Sequence, residues 1–174
     1  KPLTFQALGA REGLSSDQVM SVCEAADGSF WIGMNGSGLD HLNGARVEHF
    51  GPNQGLMNGH VWSVIQDHAG KIWAGTWGGL FRLEQGRFVS QSDGVRIGGV
   101  ALAIYEDRKH GIWLGQQAVG DLTRISDGEP KTVTLPGASG GVDIRVITED
   151  HEGRLWIGTE NQGLYRWNGS ECLA

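Results

Sequence analysis

Two sets of polar side chains in this sequence are suited to binding a hydroxyl-rich or charged ligand. The first set precedes four short apolar segments and consists of Gln18, His60, Arg96 and Asp143. The second set follows four Trp-containing segments and consists of Asn35, Ser37, Trp77, Gln116, Gln117, Glu160, Asn161 and Gln162. Amides and carboxylates hydrogen-bond hydroxyl groups, and an indole offers an apolar plane to the face of a sugar ring. Ordinary solvated loops with one packed Trp are the alternative.

A further pair of candidates lies within the apolar segments themselves. Met20, Trp62, Leu102 and Arg145 occupy one aligned position, the second residue of each segment. An Arg is costly to bury without a partner, so Arg145 requires a carboxylate, water or an anionic ligand. We include Trp62 and Arg145 among the candidate ligand-binding residues, and an ion pair within the protein is the alternative for Arg145.

Catalytic and metal-binding chemistry is not predicted by the residue spacing. No Ser, His and Asp set and no carboxylate pair is placed on a shared site, so we expect a non-enzymatic domain without a cofactor. A lyase or hydrolase would need acid and base groups such as His60, Asp143 and Glu160 to converge. His68 and His151 lie in equivalent turns without a second clustered ligand, so we expect them to be solvated rather than bound to a metal.

Two other patterns are interpreted as structural. The Asp-x-x-Gly-x-x-Trp spacing, as from Asp67 to Trp73, superficially resembles a calcium loop. One carboxylate per turn cannot supply the six to eight oxygens that calcium takes, so the Asp is expected to stabilise the turn. Cys23 and Cys172 lack the close pairing of a zinc or redox motif, and we expect no disulfide between them.

A repeated unit must position all these residues, because one signature recurs four times. Its best example is Gly70-Lys71-Ile72-Trp73-Ala74-Gly75. The equivalent Trp residues are 31, 73, 113 and 156, and their spacings are 42, 40 and 43 residues. A fixed period of this size is typical of repeat proteins in which each unit buries its apolar surface against its neighbours.

Each repeat has the pattern of four short strands. The inner strand is rich in apolar and β-branched residues and is predicted at 19–24, 61–66, 101–106 and 144–149. The second strand carries the Trp (30–33, 72–75, 112–115, 155–158), and the third alternates apolar and polar residues (39–42, 80–83, 122–125, 164–167). Turns such as Asn43-Gly44 then lead to an outer strand at 46–50, 87–90 or 131–135. Four antiparallel strands per unit predict an all-β fold of β-propeller blades, with about four blades in this chain.

In such blades the two candidate loop sets open on the same face, around a central channel. The repeats span approximately 13–54, 55–93, 94–136 and 137–174, and residues 1–12 are predicted to form an outer strand of a neighbouring or closing blade. We favour a piece of a larger ring over a closed four-bladed ring. The remaining blades of a parent protein, or a second copy, are therefore expected partners, since open terminal blades would expose an apolar flank.

Composition excludes several function classes. The chain has 29 Gly in 174 residues, well above the average of roughly 7%, as expected for many turns. Its net charge of −6 gives no basic stripe, so nucleic acid is not an expected partner. No apolar run approaches the roughly 18 residues of a membrane helix, so we expect no direct membrane contact.

The runs Val61 to Thr76 and Ile144 to Thr159 closely resemble the two-component regulator propeller repeat, and Gly79-Leu80 and Gly163-Leu164 match its continuation. Such repeats usually form seven-bladed rings in the extracytoplasmic sensor region of bacterial histidine kinases and related regulators. Several of these sensors respond to oligosaccharides. The resemblance therefore implies a periplasmic or extracytoplasmic sensor domain that binds a polar ligand, possibly an oligosaccharide, or a partner. An interaction platform without a small ligand, and a propeller lyase or hydrolase, are the alternatives.

Overall fold

The computed structural model describes residues 6–91, 99–137 and 141–173, and in these ranges the chain forms sixteen strands in four sheets. The strands of the first two sheets are β1 (Val19–Glu24), β2 (Phe30–Met34), β3 (Leu39–Asn43), β4 (Arg46–Phe50), β5 (Val61–Gln66), β6 (Ile72–Thr76), β7 (Gly79–Glu84) and β8 (Arg87–Ser90). Those of the last two are β9 (Ala101–Glu106), β10 (Ile112–Gln116), β11 (Asp121–Ser126), β12 (Glu129–Thr134), β13 (Ile144–Glu149), β14 (Leu155–Thr159), β15 (Leu164–Trp167) and β16 (Cys172–Leu173). Each sheet contains four consecutive antiparallel strands, which confirms the predicted propeller blades. None of the helices in the described ranges is long and apolar enough to span a membrane.

In the second, third and fourth blades, an Asp in the hairpin turn between the first and second strands joins the turn to the Trp of the blade. Asp67 accepts backbone N–H bonds from Ala69 at 3.0 Å and Lys71 at 2.8 Å, and its other oxygen accepts the Trp73 indole N–H at 2.7 Å. Asp107 and Asp150 bind their own Trp residues in the same way, each at 2.7 Å. The turn-stabilising role expected of this Asp is therefore confirmed.

The first blade departs from this arrangement because Ala25 replaces the Asp. Its Trp31 is still buried, at 5% exposure. The His41 ring stacks on Trp31 with ring centroids 4.1 Å apart, where the other blades place an Arg over the Trp ring. His41 in turn hydrogen-bonds Ser29, whose hydroxyl donates to Asp27. An aromatic stack and a neighbouring carboxylate thus replace the Asp and Trp bond in this blade.

Adjacent blades pack inner strand against second strand, and a Gly in each second strand permits the close approach. A Cβ at Gly33 would lie 2.8 Å from the carbonyl oxygen of Val61 in the next blade, and one at Gly75 would lie 2.8 Å from that of Ala101. Gly115 contacts Ile144 in the same manner. Because a side chain at any of these positions would overlap the next blade, glycine is required there.

A hydrogen bond also crosses each of the three blade interfaces at the hairpin-turn edge. The last residue of the next inner strand accepts a backbone N–H from the preceding turn. The three bonds are Ala26 to Gln66 at 2.7 Å, His68 to Glu106 at 2.8 Å and Arg108 to Glu149 at 2.8 Å. We call these contacts the interblade clamps. The acidic or amide residue that ends the inner strand of the second, third and fourth blades thus has a structural role.

The two ends of the blade array are open. Val19 is 47% exposed, whereas Val61, Ala101 and Ile144, at the equivalent position of the other inner strands, are fully buried. At the other end, a Cβ at Gly158 would meet only Val146 of its own blade, and Val146 is 54% exposed. The described residues therefore form an arc whose two flanks lack the covering that the three internal interfaces have.

The chain enters the first two blades through short 3₁₀ turns rather than extended segments. Ala10–Glu12 and Pro52–Gln54 form these turns, and each ends at a glycine with positive φ that is followed by a buried Leu. Residues 6–8, within the predicted outer strand at 1–12, are not in a strand, and residues 1–5 lie outside the described ranges. In the third blade the outer strand begins two residues earlier than predicted, because Glu129 and Pro130 pair with β11.

Candidate functional site

The two predicted loop sets meet at one edge of the sheets. In every blade, the residue that follows the second strand donates its backbone N–H to the residue that precedes the inner strand. The four bonds are Asn35 to Gln18 (2.9 Å), Trp77 to His60 (3.3 Å), Gln117 to Val100 (3.0 Å) and Glu160 to Asp143 (2.9 Å). Val100 holds this position in the third blade. Arg96, the residue predicted at this position, lies outside the described residues.

A connected row of side chains crosses the first and second blades at this edge. Asn35 donates from Nδ2 to Gln18 Oε1 at 2.9 Å, and its Oδ1 accepts from His60 Nδ1 at 2.7 Å. The His60 ring stacks on the Trp77 indole, with ring centroids 4.2 Å apart and planes inclined by 25°. Trp77 is nevertheless 50% exposed. The row therefore holds one face of an indole in place and leaves much of its surface available to a ligand.

The column that contains Met20, Trp62, Leu102 and Arg145 forms a β-bulge in all four blades. In each inner strand the pairing register skips this residue, as between Val61 and Ser63. A bulge redirects the side chain of the extra residue away from the regular alternation of the sheet. This explains why four unlike residues share one position.

Two of these bulged residues come together although they belong to blades that are not neighbours. The Arg145 guanidinium of the fourth blade lies 5.7 Å from the ring centroid of Trp62 in the second. Arg145 also donates from Nε to Glu160 Oε2 at 2.9 Å. The Trp62 indole N–H is buried and has no hydrogen-bond partner among the described residues. Arg145 thus forms an ion pair within the protein, which was the alternative to ligand binding, and it also lies at the centre of the arc.

The other predicted residues mainly hold the loops. Gln116 is 1% exposed, so its side chain lies in the interior. Asp143 accepts from the Ala118 backbone at 2.9 Å and from Gln117 Nε2 at 3.4 Å. Asn161 donates to the Gly141 carbonyl at 3.4 Å, and Gln162 accepts from the Tyr165 hydroxyl at 3.1 Å. Ser37, in the first-blade loop, is partly buried.

The acid and base groups of this edge each bind a different partner. His60 binds Asn35, Asp143 binds the loop at Ala118, and Glu160 binds Arg145. Within the described ranges, no hydrogen bond or ion pair joins any two of His60, Asp143 and Glu160. Each of the three groups thus serves a separate contact within the protein.

Perturbed carboxylates lie at the opposite edge, in the hairpin turns. A hydrogen bond from Ser29 lowers the pKa of Asp27. Burial by itself would raise the pKa of Asp107 and of Asp150, but hydrogen bonds from the neighbouring Arg, Trp indole and turn N–H groups outweigh it and lower both pKa values. These shifts accompany structural bonds and therefore do not indicate a catalytic acid.

A cluster of metal-ligating groups lies at the same opposite edge. His68, Glu106 and His110 each offer one ligand atom, and these atoms lie within 4.8 Å of one another. The sequence shows no second ligand for His68 because Glu106 and His110 belong to the next blade. Packing of the two blades supplies both.

Comparison with known proteins finds a family match for three of the four repeats. The family model described as the two component regulator propeller matches residues 13–36, 55–78 and 139–161. No curated protein sequence matches the chain.

Several solved structures share the fold. The extracellular domain of a hybrid two-component system from B. thetaiotaomicron is 23% identical, with a TM-score of 0.76 over 92% of this chain and 22% of its own. A second such domain from that organism is 18% identical, with a TM-score of 0.78 over 95% of this chain and 24% of its own. Virginiamycin B lyase from Staphylococcus aureus is 18% identical, with a TM-score of 0.73 over 90% of this chain and 54% of its own. The chain thus spans less than a quarter of the length of the two extracellular domains, and likeness at these identities shows the fold alone.

Proposed function

The chain carries repeats of the two-component regulator propeller family, and on that premise we propose that it is part of the extracytoplasmic sensor region of a bacterial two-component regulator. Its fold is like that of extracellular domains described as parts of hybrid two-component systems. In this role the chain acts by binding. Further propeller blades of the parent protein, or a second copy, cover the exposed flanks at Val19 and Val146.

The observation that carries the proposal is the half-exposed Trp77 indole held by His60. An exposed aromatic ring held by stacking, beside amide groups, suits a ligand that has both an apolar face and many hydroxyl groups. Gln18 and Asn35 supply such amides in the same row. We therefore propose a polar ligand of the oligosaccharide class, with Trp77 under a sugar ring.

The centre of the arc suggests how binding is transmitted. Arg145 and Trp62 meet across blades that do not adjoin, so a ligand that contacts both restrains the distance between these blades. A ligand shifts a conformational equilibrium only by its difference in affinity for the two states. We propose that a ligand favouring one blade spacing biases the geometry of an attached output domain.

Titration of the 174-residue chain with a panel of neutral and acidic oligosaccharides tests this proposal. Calorimetry and intrinsic Trp fluorescence are the readouts. At least one ligand should bind, and Trp77→Ala should weaken it by tenfold or more (~1.4 kcal/mol) without lowering the melting temperature. Phe30→Ala is the matched control, because Phe30 is a 37% exposed aromatic residue at the hairpin-turn edge. Binding that is indifferent to Trp77→Ala would contradict the proposed site.

One observation favours a second candidate, a protein interaction platform. Met57 and Val119 lie in loops of the same edge as Trp77 and are 73% and 39% exposed. Exposed apolar side chains in neighbouring loops suit a protein surface. If no oligosaccharide binds and Trp77→Ala instead weakens binding of the parent protein's output region, the platform replaces the sugar site. A lyase function is not favoured, because His60, Asp143 and Glu160 each have a separate hydrogen-bond partner.

A further inference from the structure

The cluster of His68, Glu106 and His110 lies between the second and third blades, away from the proposed ligand site. His68 Nδ1 lies 2.5 Å from Glu106 Oε1, and His110 Nδ1 lies 3.5 Å from the same oxygen. The two imidazole rings are stacked, with centroids 3.7 Å apart. Their side chains are 49% and 57% exposed, whereas that of Glu106 is 17% exposed. Two half-exposed imidazoles therefore face one carboxylate that is largely buried in the interface.

The position of Glu106 is fixed by the fold. Its Oε2 accepts the His68 backbone N–H in an interblade clamp, which leaves Oε1 to face both imidazoles. The equivalent acceptors Gln66 and Glu149 form the same clamp in the other two interfaces. The carboxylate is thus preorganised before any ion binds.

His110 occupies a backbone position that glycine would fill more favourably. Its φ is 63°, and the equivalent turn residues are Gly28, Gly70 and Gly153, with φ of 80°, 78° and 82°. A side chain at positive φ is strained relative to glycine. The conformation of the turn does not require a His at this position. The His110 imidazole therefore indicates a role other than formation of the turn.

The interface between the third and fourth blades carries a positive charge at the position equivalent to this cluster. There Arg108 stands where His68 stands, and its guanidinium Nε lies 2.8 Å from Glu149 Oε1. A cation therefore accompanies the clamp carboxylate between the third and fourth blades. Between the second and third blades, the two imidazoles replace the Arg. A metal ion bound by them would supply the corresponding positive charge.

We propose that His68, Glu106 and His110 bind a divalent transition-metal ion of the zinc class. Two imidazole nitrogens and one carboxylate oxygen favour Zn²⁺, Cu²⁺ or Ni²⁺ over Mg²⁺ or Ca²⁺. Zinc takes such ligands at about 2.0–2.2 Å in a tetrahedron, and a fourth position is left for water or an external ligand. The exposed imidazoles reach this geometry by side-chain rotation. Any imidazole proton at the ligating nitrogen is released to solvent when the metal binds.

The bound ion would join two blades. His68 belongs to the second blade and the other two ligands to the third, so the ion reinforces the clamp between them. Because the ion binds the folded interface and not the separated blades, it raises stability in proportion to the logarithm of its concentration above Kd. The inference is independent of the ligand proposed at the opposite edge.

Titration of the 174-residue chain with ZnCl₂, by calorimetry and by thermal melts with and without EDTA, tests the site. The chain itself offers replacements that preserve the fold: His110→Gly matches Gly70, His68→Arg matches Arg108, and Glu106→Gln matches Gln66. The unchanged chain should bind one Zn²⁺ and melt at a higher temperature with zinc than with EDTA. His110→Gly and His68→Arg should each weaken zinc binding by at least about tenfold, the lower bound for loss of a supporting ligand group. Glu106→Gln should weaken it as well.

His151→Ala is the matched control. His151 lies in the equivalent turn of the fourth blade, its side chain is 87% exposed, and its carboxylate neighbour Glu152 is 3.7 Å away. This variant should bind zinc as the unchanged chain does. In EDTA, His110→Gly should melt no lower than the unchanged chain, which shows that its loss of zinc binding is not unfolding. Absence of zinc binding at 1:1 stoichiometry, or equal binding by His110→Gly and the unchanged chain, would overturn the site.

Discussion

Removal of the Asp107 carboxylate should destabilise the third blade more than a single lost turn bond would. Asp107 accepts from the Lys109 and Gly111 backbones, from the Trp113 indole at 2.7 Å and from Arg124 at 2.9 Å. In Asp107→Ala, the indole N–H of Trp113, which is 3% exposed, and the N–H of Gly111 lose their buried acceptor.

The expected magnitude follows from the groups left without partners. Each buried donor costs about 1–3 kcal/mol when unsatisfied. Arg124 stays partly solvated, at 26% side-chain exposure, so its lost ion pair adds only about 0–1 kcal/mol. Together these terms give about 2–7 kcal/mol in the free energy of unfolding. For a chain of this size, this corresponds to a fall in melting temperature of roughly 4–28 °C.

Urea unfolding followed by Trp fluorescence, with thermal melts in parallel, measures this loss. Asp107→Asn keeps an oxygen for the turn N–H groups but weakens the Trp113 and Arg124 bonds, so its loss should be smaller than that of Asp107→Ala. Asp127→Asn is the control, because Asp127 is an exposed turn residue of the same blade with φ of 53°, a conformation that Asn tolerates. It should change the free energy of unfolding by less than about 0.5 kcal/mol. A loss below about 1 kcal/mol in Asp107→Ala would refute a stabilising link from this Asp to Trp113.

Two further outcomes follow from the turns and the blade interfaces. The pKa values of Asp27, Asp107 and Asp150 are lower in the folded chain than the ordinary Asp pKa of about 3.9. Their contribution to the stability of the fold is therefore present above that ordinary value and is lost as the pH falls through the lower folded-state values. Urea midpoints should therefore change little between about pH 7 and 5 for these groups and fall below about pH 4. Gly33→Ala should cost about 1–3 kcal/mol because the new Cβ meets the Val61 backbone, whereas Gly158→Ala should cost less because its Cβ meets only the exposed Val146 side chain. Equal losses in the two melts would contradict the asymmetry of the flanks.

The strands could be predicted because the same residue pattern recurs in all four repeats. All four inner strands begin and end where the apolar and β-branched runs do, as from Val19 to Glu24. The bulge at Met20 and its equivalents could not be predicted, because alternation of residue types does not reveal a skipped pairing. The 3₁₀ turns before Leu14 and Leu56 could not be predicted either, because their Gly and Pro residues are compatible with several kinds of turn.

The loop edge was predicted in outline and its contacts were not. The antiparallel order of the strands is enough to place Gln18, His60 and Trp77 together. Gln116 was expected in an exposed loop because it is polar, and its burial depends on packing that residue polarity does not predict. The cluster at Glu106 was missed because His68 lies 38 residues away from Glu106 in sequence and meets Glu106 and His110 only through packing of two blades. A comparison of the turns does hold one signal, the His110 that replaces a repeated Gly.

The two open flanks are unlike surfaces, and this restricts how the array can be extended. One flank presents an inner strand on which Val19 is 47% exposed, and the other presents a second strand with Gly158. The internal interfaces join an inner strand to a second strand, so two copies that associate in the same way form a heterologous, head-to-tail contact. Each added unit repeats one rotation about the channel axis. The angle of that rotation decides between closure into a ring and growth into an open helical assembly.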